Sequence, residues 1–198
     1  MSGIVGSYFN TRGSGVVAKL GTNGQVFTST GAGLSQGFEA AAGGGKIGQV
    51  VQTQYTGEAT YDGQSWAEIS TDLRVAITPA ATSSKILYWC NMIAGSTDYG
   101  WLQVVRDIGG SDTAIALTTS SSGSQLLASS GGTQWTSAQQ PKTVPVVWLD
   151  SPATTSECIY KLFGFTHGTH NINRGSDNAN NTNVAKGVST FTVMEVLA

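Results

Sequence analysis

The chain has 198 residues, a formal net charge of −2 and only 11% Asp, Glu, Lys and Arg, against roughly 25% in an ordinary soluble domain. Without a Lys/Arg cluster it carries no footprint for nucleic acid. No apolar run reaches the ~18 residues of a membrane-spanning helix, so membrane insertion is not expected either. The length leaves room for one domain of about 150 residues and an appendage, its surface kept soluble by hydroxyls and amides, as on extracellular and virion β-proteins.

Residues 1–19 are punctuated by glycine and too poor in apolar residues to pack alone, yet Ile4, Val5, Tyr8 and Phe9 form a small sticky cluster. That is the pattern of an N-terminal attachment arm that orders when it docks on a partner. Residues 20–45 follow as a separate unit. Asn23-Gly24 signals a tight turn, residues 25–28 a short strand, and Gly31 with Gly33 a second turn. A hairpin this small has almost no core. Residues 40–45, Ala-Ala-Ala-Gly-Gly-Gly, read as a linker, and Lys46 opens a domain spanning residues 46–198.

Strand signals then come in close order. Residues 47–55 alternate, with Ile47, Gln49, Val51, Thr53 and Tyr55 on one face. Short segments at 59–61 and 66–69 flank the Asp62-Gly63 turn, and residues 73–78 alternate cleanly. The centre of the chain is residues 85–94, Lys-Ile-Leu-Tyr-Trp-Cys-Asn-Met-Ile-Ala. Its unbroken apolar run predicts a strand covered on both faces, by a second sheet and by another layer or another subunit. Further strands are expected at 99–105, 113–118, 125–128, 144–149, 158–165 and 188–197. Without any sustained 3.6-residue period, the fold class is all-β, a jelly-roll-like antiparallel sandwich behind an extended Gly-rich arm. Two polar turns echo each other: Thr-Pro-Ala-Ala-Thr-Ser at 78–83 and Ser-Pro-Ala-Thr-Thr-Ser at 151–156. They predict that residues 86–93 and 158–165 are equivalent central strands of the two sheets.

No nucleophile elbow, zinc-protease, phosphate-loop or dinucleotide motif is present, so an enzyme is not expected and no cofactor is implied. Asp98, Asp107, Asp112 and Asp150 near strand ends read as local caps more readily than as a glycosidase carboxylate pair. Cys90 and Cys158, inside apolar strands, read as buried thiols. His167 and His170 are weak metal candidates, three residues apart on what reads as a loop; solvated side chains are the plainer reading. Trp101 and Trp148 sit in core-like runs, leaving Tyr99 and Trp135 as exposed aromatic candidates. Residues 167–186 form an asparagine-rich stretch between two strands. Asn171, Asn173, Arg174 and Asp177 there are the candidate receptor-binding set, since amides bond sugar hydroxyls without the desolvation cost of full charges.

Residues 20–39 resemble the Gly-Thr-x-Gly-Gln-Val-Leu-Thr-Ser-x-Gly-x-Gly unit of bacteriophage fibre shafts. Here it reads Gly21-Thr22-Asn23-Gly24-Gln25-Val26-Phe27-Thr28-Ser29, in one copy, with Phe38 near its close. Residues 49–53, 77–87, 149–156, Tyr160-Lys161 and 189–196 are similar to the C-terminal domains of such proteins. The resemblance, to small tail-fibre and appendage proteins of tailed bacteriophages, implies a non-enzymatic virion protein and a homotrimer. It also implies other virion proteins as partners, attachment through the arm, and contact of the β domain with host glycan or protein. A capsid or tail decoration protein is the alternative it leaves open.

Overall fold

The computed structural model describes residues 8–11, 15–19, 25–28, 37–40, 46–96, 98–120, 122–130, 141–180 and 182–197. The chain divides into two compact units, Met1–Lys46 and Ile47–Ala198. In the first, β1 (Tyr8–Thr11) pairs antiparallel with β2 (Gly15–Lys19), and β3 (Gln25–Thr28) with β4 (Gly37–Ala40), Phe27 standing opposite Phe38. The stretch expected to be an extended arm therefore contributes a hairpin, its strands rich in the β-formers Tyr, Phe and Val. Tyr8 and Phe9 lie in β1; Ile4 and Val5 fall outside the described residues.

The second unit runs β5 (Ile47–Tyr55), β6 (Ala59–Tyr61), β7 (Ala67–Glu68), a 3-10 turn (Thr71–Leu73), β8 (Val75–Ile77), β9 (Lys85–Ser96) and β10 (Gly100–Ile108). It continues with β11 (Ser111–Ile115), β12 (Lys142–Asp150), β13 (Cys158–Thr166), β14 (His170–Ile172) and β15 (Ser189–Val196). Two antiparallel sheets result. In one, β9 is flanked by β12 on one side and by β15 on the other, with β5, β6 and β14 completing it. In the other, β13 lies between β10 and the short strands β7 and β8, and β11 closes the far edge. As the paired Pro-containing turns predicted, β9 and β13 are central strands of their respective sheets.

The sheets pack face to face as a β-sandwich. Ile86, Tyr88, Cys90 and Met92 of β9, Val144 and Val146 of β12, and Phe191 and Val193 of β15 point inward from the first sheet. Leu102 and Val104 of β10, with Cys158, Tyr160 and Leu162 of β13, meet them from the second. The Tyr88 and Tyr160 rings touch across the layer, 5.6 Å between centroids. Each such side chain contributes about 1.5–3 kcal/mol through burial. Both cysteines are free and buried, and burial pushes the Cys90 thiol up to about 12, so it stays protonated and inert.

Three expectations are corrected. The run in β9 has no second layer of the same chain over its outer face: the pleat turns Ile86, Tyr88, Cys90 and Met92 inward, while Trp89 on the outer face is 51% exposed, which leaves another subunit as the expected cover. The run is apolar throughout because the outer face is apolar too, and the monomer leaves that face open. Residues 73–78 begin in the 3-10 turn, which Ser70 caps by accepting the Asp72 N–H, and only Val75–Ile77 is strand. Residues 125–128 are not a strand; near them a single bridge joins Ser130 to Leu102.

Candidate ligand-binding surface

The first strand turn of β10 sets up the surface. Period-2 alternation sends Trp101 outward, on the same side as the preceding Tyr99, and sends Gly100 and Leu102 inward. The rings of Tyr99 and Trp101 stack at 6.1 Å with 15° between planes. Across the ladder Trp101 opposes Phe165 of β13, with ring centroids 5.8 Å apart. His167, just past the end of β13, meets both rings edge-on, and Trp66 tilts against Phe165 at 5.7 Å. Two bonds tie the strand ends together: the Thr166 hydroxyl and the His167 N–H both donate to the Tyr99 carbonyl at 3.0 Å. Tyr99 is 51% exposed and His167 is exposed, so the aromatic band is open to ligand at one end.

Beside Trp101 and His167 the segment after β11 folds back and walls off a hollow of about 500 Å³. Thr118, Ser120, Ser124 and Gln125 line it with hydroxyls and an amide, Leu126 and Leu127 with apolar surface. The segment is anchored, since Gln103 donates to the Leu127 carbonyl at 2.6 Å and the Ser129 hydroxyl bridges Val104 N–H and the Ile115 carbonyl. Aromatic faces beside uncharged donors and acceptors suit a polyhydroxylated ligand, whose ring C–H faces stack while its hydroxyls bond.

Beneath the band lies His170. It follows the inward parity of Ile172 in β14, is 1% exposed, and neither ring nitrogen has a hydrogen-bond partner. Its imidazole sits so close under Gly100 that a β-carbon there would lie 1.7 Å from Nε2. Burial, which penalises the charged form, pulls its pKa down to about 4.

The residues expected to bind a receptor are placed differently. The stretch 167–186 is not one loop, because residues 170–172 pair with both β9 and β6. Asn171 is 2% exposed and accepts from the Thr60 hydroxyl. Asn173 is 1% exposed, holds a left-handed φ of 65°, donates to the Tyr55 and Gly57 carbonyls at 2.6 and 2.7 Å, and accepts from the Ser189 hydroxyl. Arg174 is engaged by the Glu58 carboxylate at 3.0 Å and by the Thr60 hydroxyl, and Lys186 closes on the same Glu58. Asp177 accepts the Ala179 N–H in a local turn. This set fastens the segment to the β5–β6 connection. Tyr99 alone of the expected set joins the aromatic surface; Trp135 lies outside the described residues.

Sequence reasoning missed Trp101, Phe165 and Gln125. Trp101 shares the parity of exposed Tyr99, opposite to the buried Leu102 and Val104, and that alternation was the available signal. His167 and His170 do not converge, one being outside and the other inside; among the described residues no three His, Cys, Asp or Glu side chains group as metal ligands. The strand-end aspartates are mostly paired with cations: Asp107 and Asp112 with Lys161, at 2.7 and 2.8 Å, and Asp150 with Arg106, while Asp98 caps the Tyr99 N–H. Among the described residues no helix is long and apolar enough to cross a membrane. No protein-family model matches the chain, and no curated protein matches it.

Proposed function

We propose that this chain is a non-enzymatic structural protein of a tailed-bacteriophage virion, a trimeric tail-fibre or tip subunit whose β domain holds host-surface glycan. One observation carries the reading: an aromatic band on β10 and β13, ending in exposed Tyr99 and His167, borders a hollow lined by hydroxyls and an amide. The site stands on paired strands, so its stacking geometry is held before ligand arrives, which lowers the ordering cost of binding. The fibre-shaft resemblance of residues 20–39 supplies the virion context, and residues 1–19, with Ile4, Val5, Tyr8 and Phe9, serve as the attachment segment in this reading. A jelly-roll-like strand order belongs to it as well.

A second reading, a capsid or tail decoration protein, is favoured by the outer face of the first sheet. Across four strands Val50, Met194, Leu87 and Leu149 stand in one row, and Gln52, Thr192, Trp89 and Val147 in the next. Neither row carries a charge, and Val50, Trp89, Val147 and Leu149 are 46–58% exposed. Such a face suits burial in an assembly. Micrographs of intact particles labelled with antibody to this chain separate the readings. Label at the distal tail supports the fibre or tip, uniform label over the capsid supports decoration, and unlabelled particles contradict both.

A further inference from the structure

We infer that His170 is an acid-operated support beneath the ligand-binding face: charging its imidazole displaces Gly100, and with it Tyr99 and Trp101, while the core between the sheets stays folded. The inference rests on the reading of that face as the binding surface, and adds its regulation.

The mechanical link is short. Gly100 is the inward residue between two outward aromatics, and only the absence of a side chain lets the imidazole lie against it. The same end of β10 is tied to Thr166 and His167 through the Tyr99 carbonyl, so Gly100 cannot move without the aromatic band moving. The imidazole is 1% exposed and makes no hydrogen bond among the described residues, which costs a neutral ring far less than it costs an imidazolium.

Among the described residues no carboxylate hydrogen-bonds the imidazole, and no charged neighbour offsets the effect of burial on it. Tyr61 of β6 and Ser96 of β9 stand opposite His170 in the ladder. The β9–β10 turn contributes Asp98, whose carboxylate accepts the Tyr99 N–H, and the end of β13 contributes Thr166 and His167. Within β14 the neighbours are Asn171 and Ile172. Burial alone depresses the pKa to about 4. A ligand held at neutral pH is therefore released on acidification, by loss of the stacking geometry rather than by titration of the ligand.

The test is an amide and imidazole NMR titration of the full chain from about pH 7.5 to about pH 3, a unit below the midpoint, with retention on a printed array of bacterial surface polysaccharides at both ends. The amides of residues 99–102 and 166–167 should change together with the His170 ring, near pH 4, while those of residues 86–92 hold. Polysaccharide retention should fall at least about tenfold over the same range. His170→Leu should abolish the amide transition, and His167→Ala, whose N–H still bonds the Tyr99 carbonyl, should keep the amide transition whatever it does to retention. If His170→Leu does not fold, Gly100→Ala at neutral pH should give the acid-form signals at residues 99–102. An imidazole titrating near its ordinary value without amide changes overturns the inference. So does loss of every resonance in one step, or a wild-type spectrum for Gly100→Ala. The amide transition without retention at neutral pH supports the support role and contradicts the binding reading. Retention at both pH values with unchanged amides does the reverse.

Discussion

Asp150, at the end of β12 in one sheet, and Tyr160, on β13 in the other, are joined by a hydrogen bond of 2.8 Å inside the sandwich. Arg106 of β10 completes the group, one guanidinium nitrogen lying 2.6 and 2.7 Å from the two carboxylate oxygens. Asp150 is 5% exposed, so the pair is largely withdrawn from water.

Asp150→Ala leaves Arg106 charged and half-buried without its partner, and should cost about 3–5 kcal/mol in denaturant melts. Asp150→Asn, which can still accept from Tyr160, should cost less. Equal stability of Asp150→Ala and wild type would show that the pair does not hold the sheets together.

Asn173→Ala should destabilise the domain by about 2–4 kcal/mol, because it leaves the Tyr55 and Gly57 carbonyls and the Ser189 hydroxyl short of a partner and puts alanine at a positive φ. Thermal melts check this. Unchanged stability with lost ligand binding would return Asn173 to the receptor-contacting role its sequence context suggested.

Much of the fold was legible because the alternation in residues 47–55, the apolar run in residues 158–165 and the two Pro-containing turns are local signals, fixed by the pleat, by side-chain composition and by proline's missing N–H. The site was less so. Residues 86–93 mix an inward face with an apolar outer one, and a strand apolar on both faces reads as doubly buried whether or not anything covers it. The asparagines at 171 and 173 look solvated in sequence, yet the register of β14 with β6 and β9 buries the first and hydrogen bonds to Tyr55, Gly57 and Ser189 hold the second inside, and neither is a local property. Trp101 was read from its apolar neighbours Leu102 and Val104, whose parity is opposite to its own.

Stability should fall on acidification in an order set by individual groups. His170, held near 4 when folded and near its ordinary 6.5 when unfolded, contributes stability that is complete above pH 6.5 and is lost as pH falls toward 4. That shift is worth about 3 kcal/mol. Glu195 is held below its ordinary value by Gln49 and the Ala80 N–H despite the opposing effect of burial, and Asp107 is held low by Lys161. Their contributions are lost only below about pH 4.5. Denaturant melts between pH 7.5 and 5 isolate the histidine, and His170→Leu should flatten the curve in that window.

In the trimeric fibre reading the outer face of the first sheet is the surface the copies bury against each other, whereas in the decoration reading it lies against the particle. Trp89→Asp and Val147→Asp each place charge in the same uncharged row and should convert a trimer to monomer in sedimentation equilibrium without changing far-ultraviolet circular dichroism. A wild-type chain that is monomeric at micromolar concentration removes this assignment.

The most direct test of the central claim is equilibrium binding of the purified chain to bacterial surface polysaccharide, compared with Tyr99→Ala, Trp101→Ala and Gln125→Ala, circular dichroism establishing that each variant is folded. Loss of one stacking ring should weaken binding by about 1–2 kcal/mol, roughly five- to thirtyfold, and loss of the Gln125 amide by about 1 kcal/mol. Wild-type affinity in all three folded variants would contradict the account.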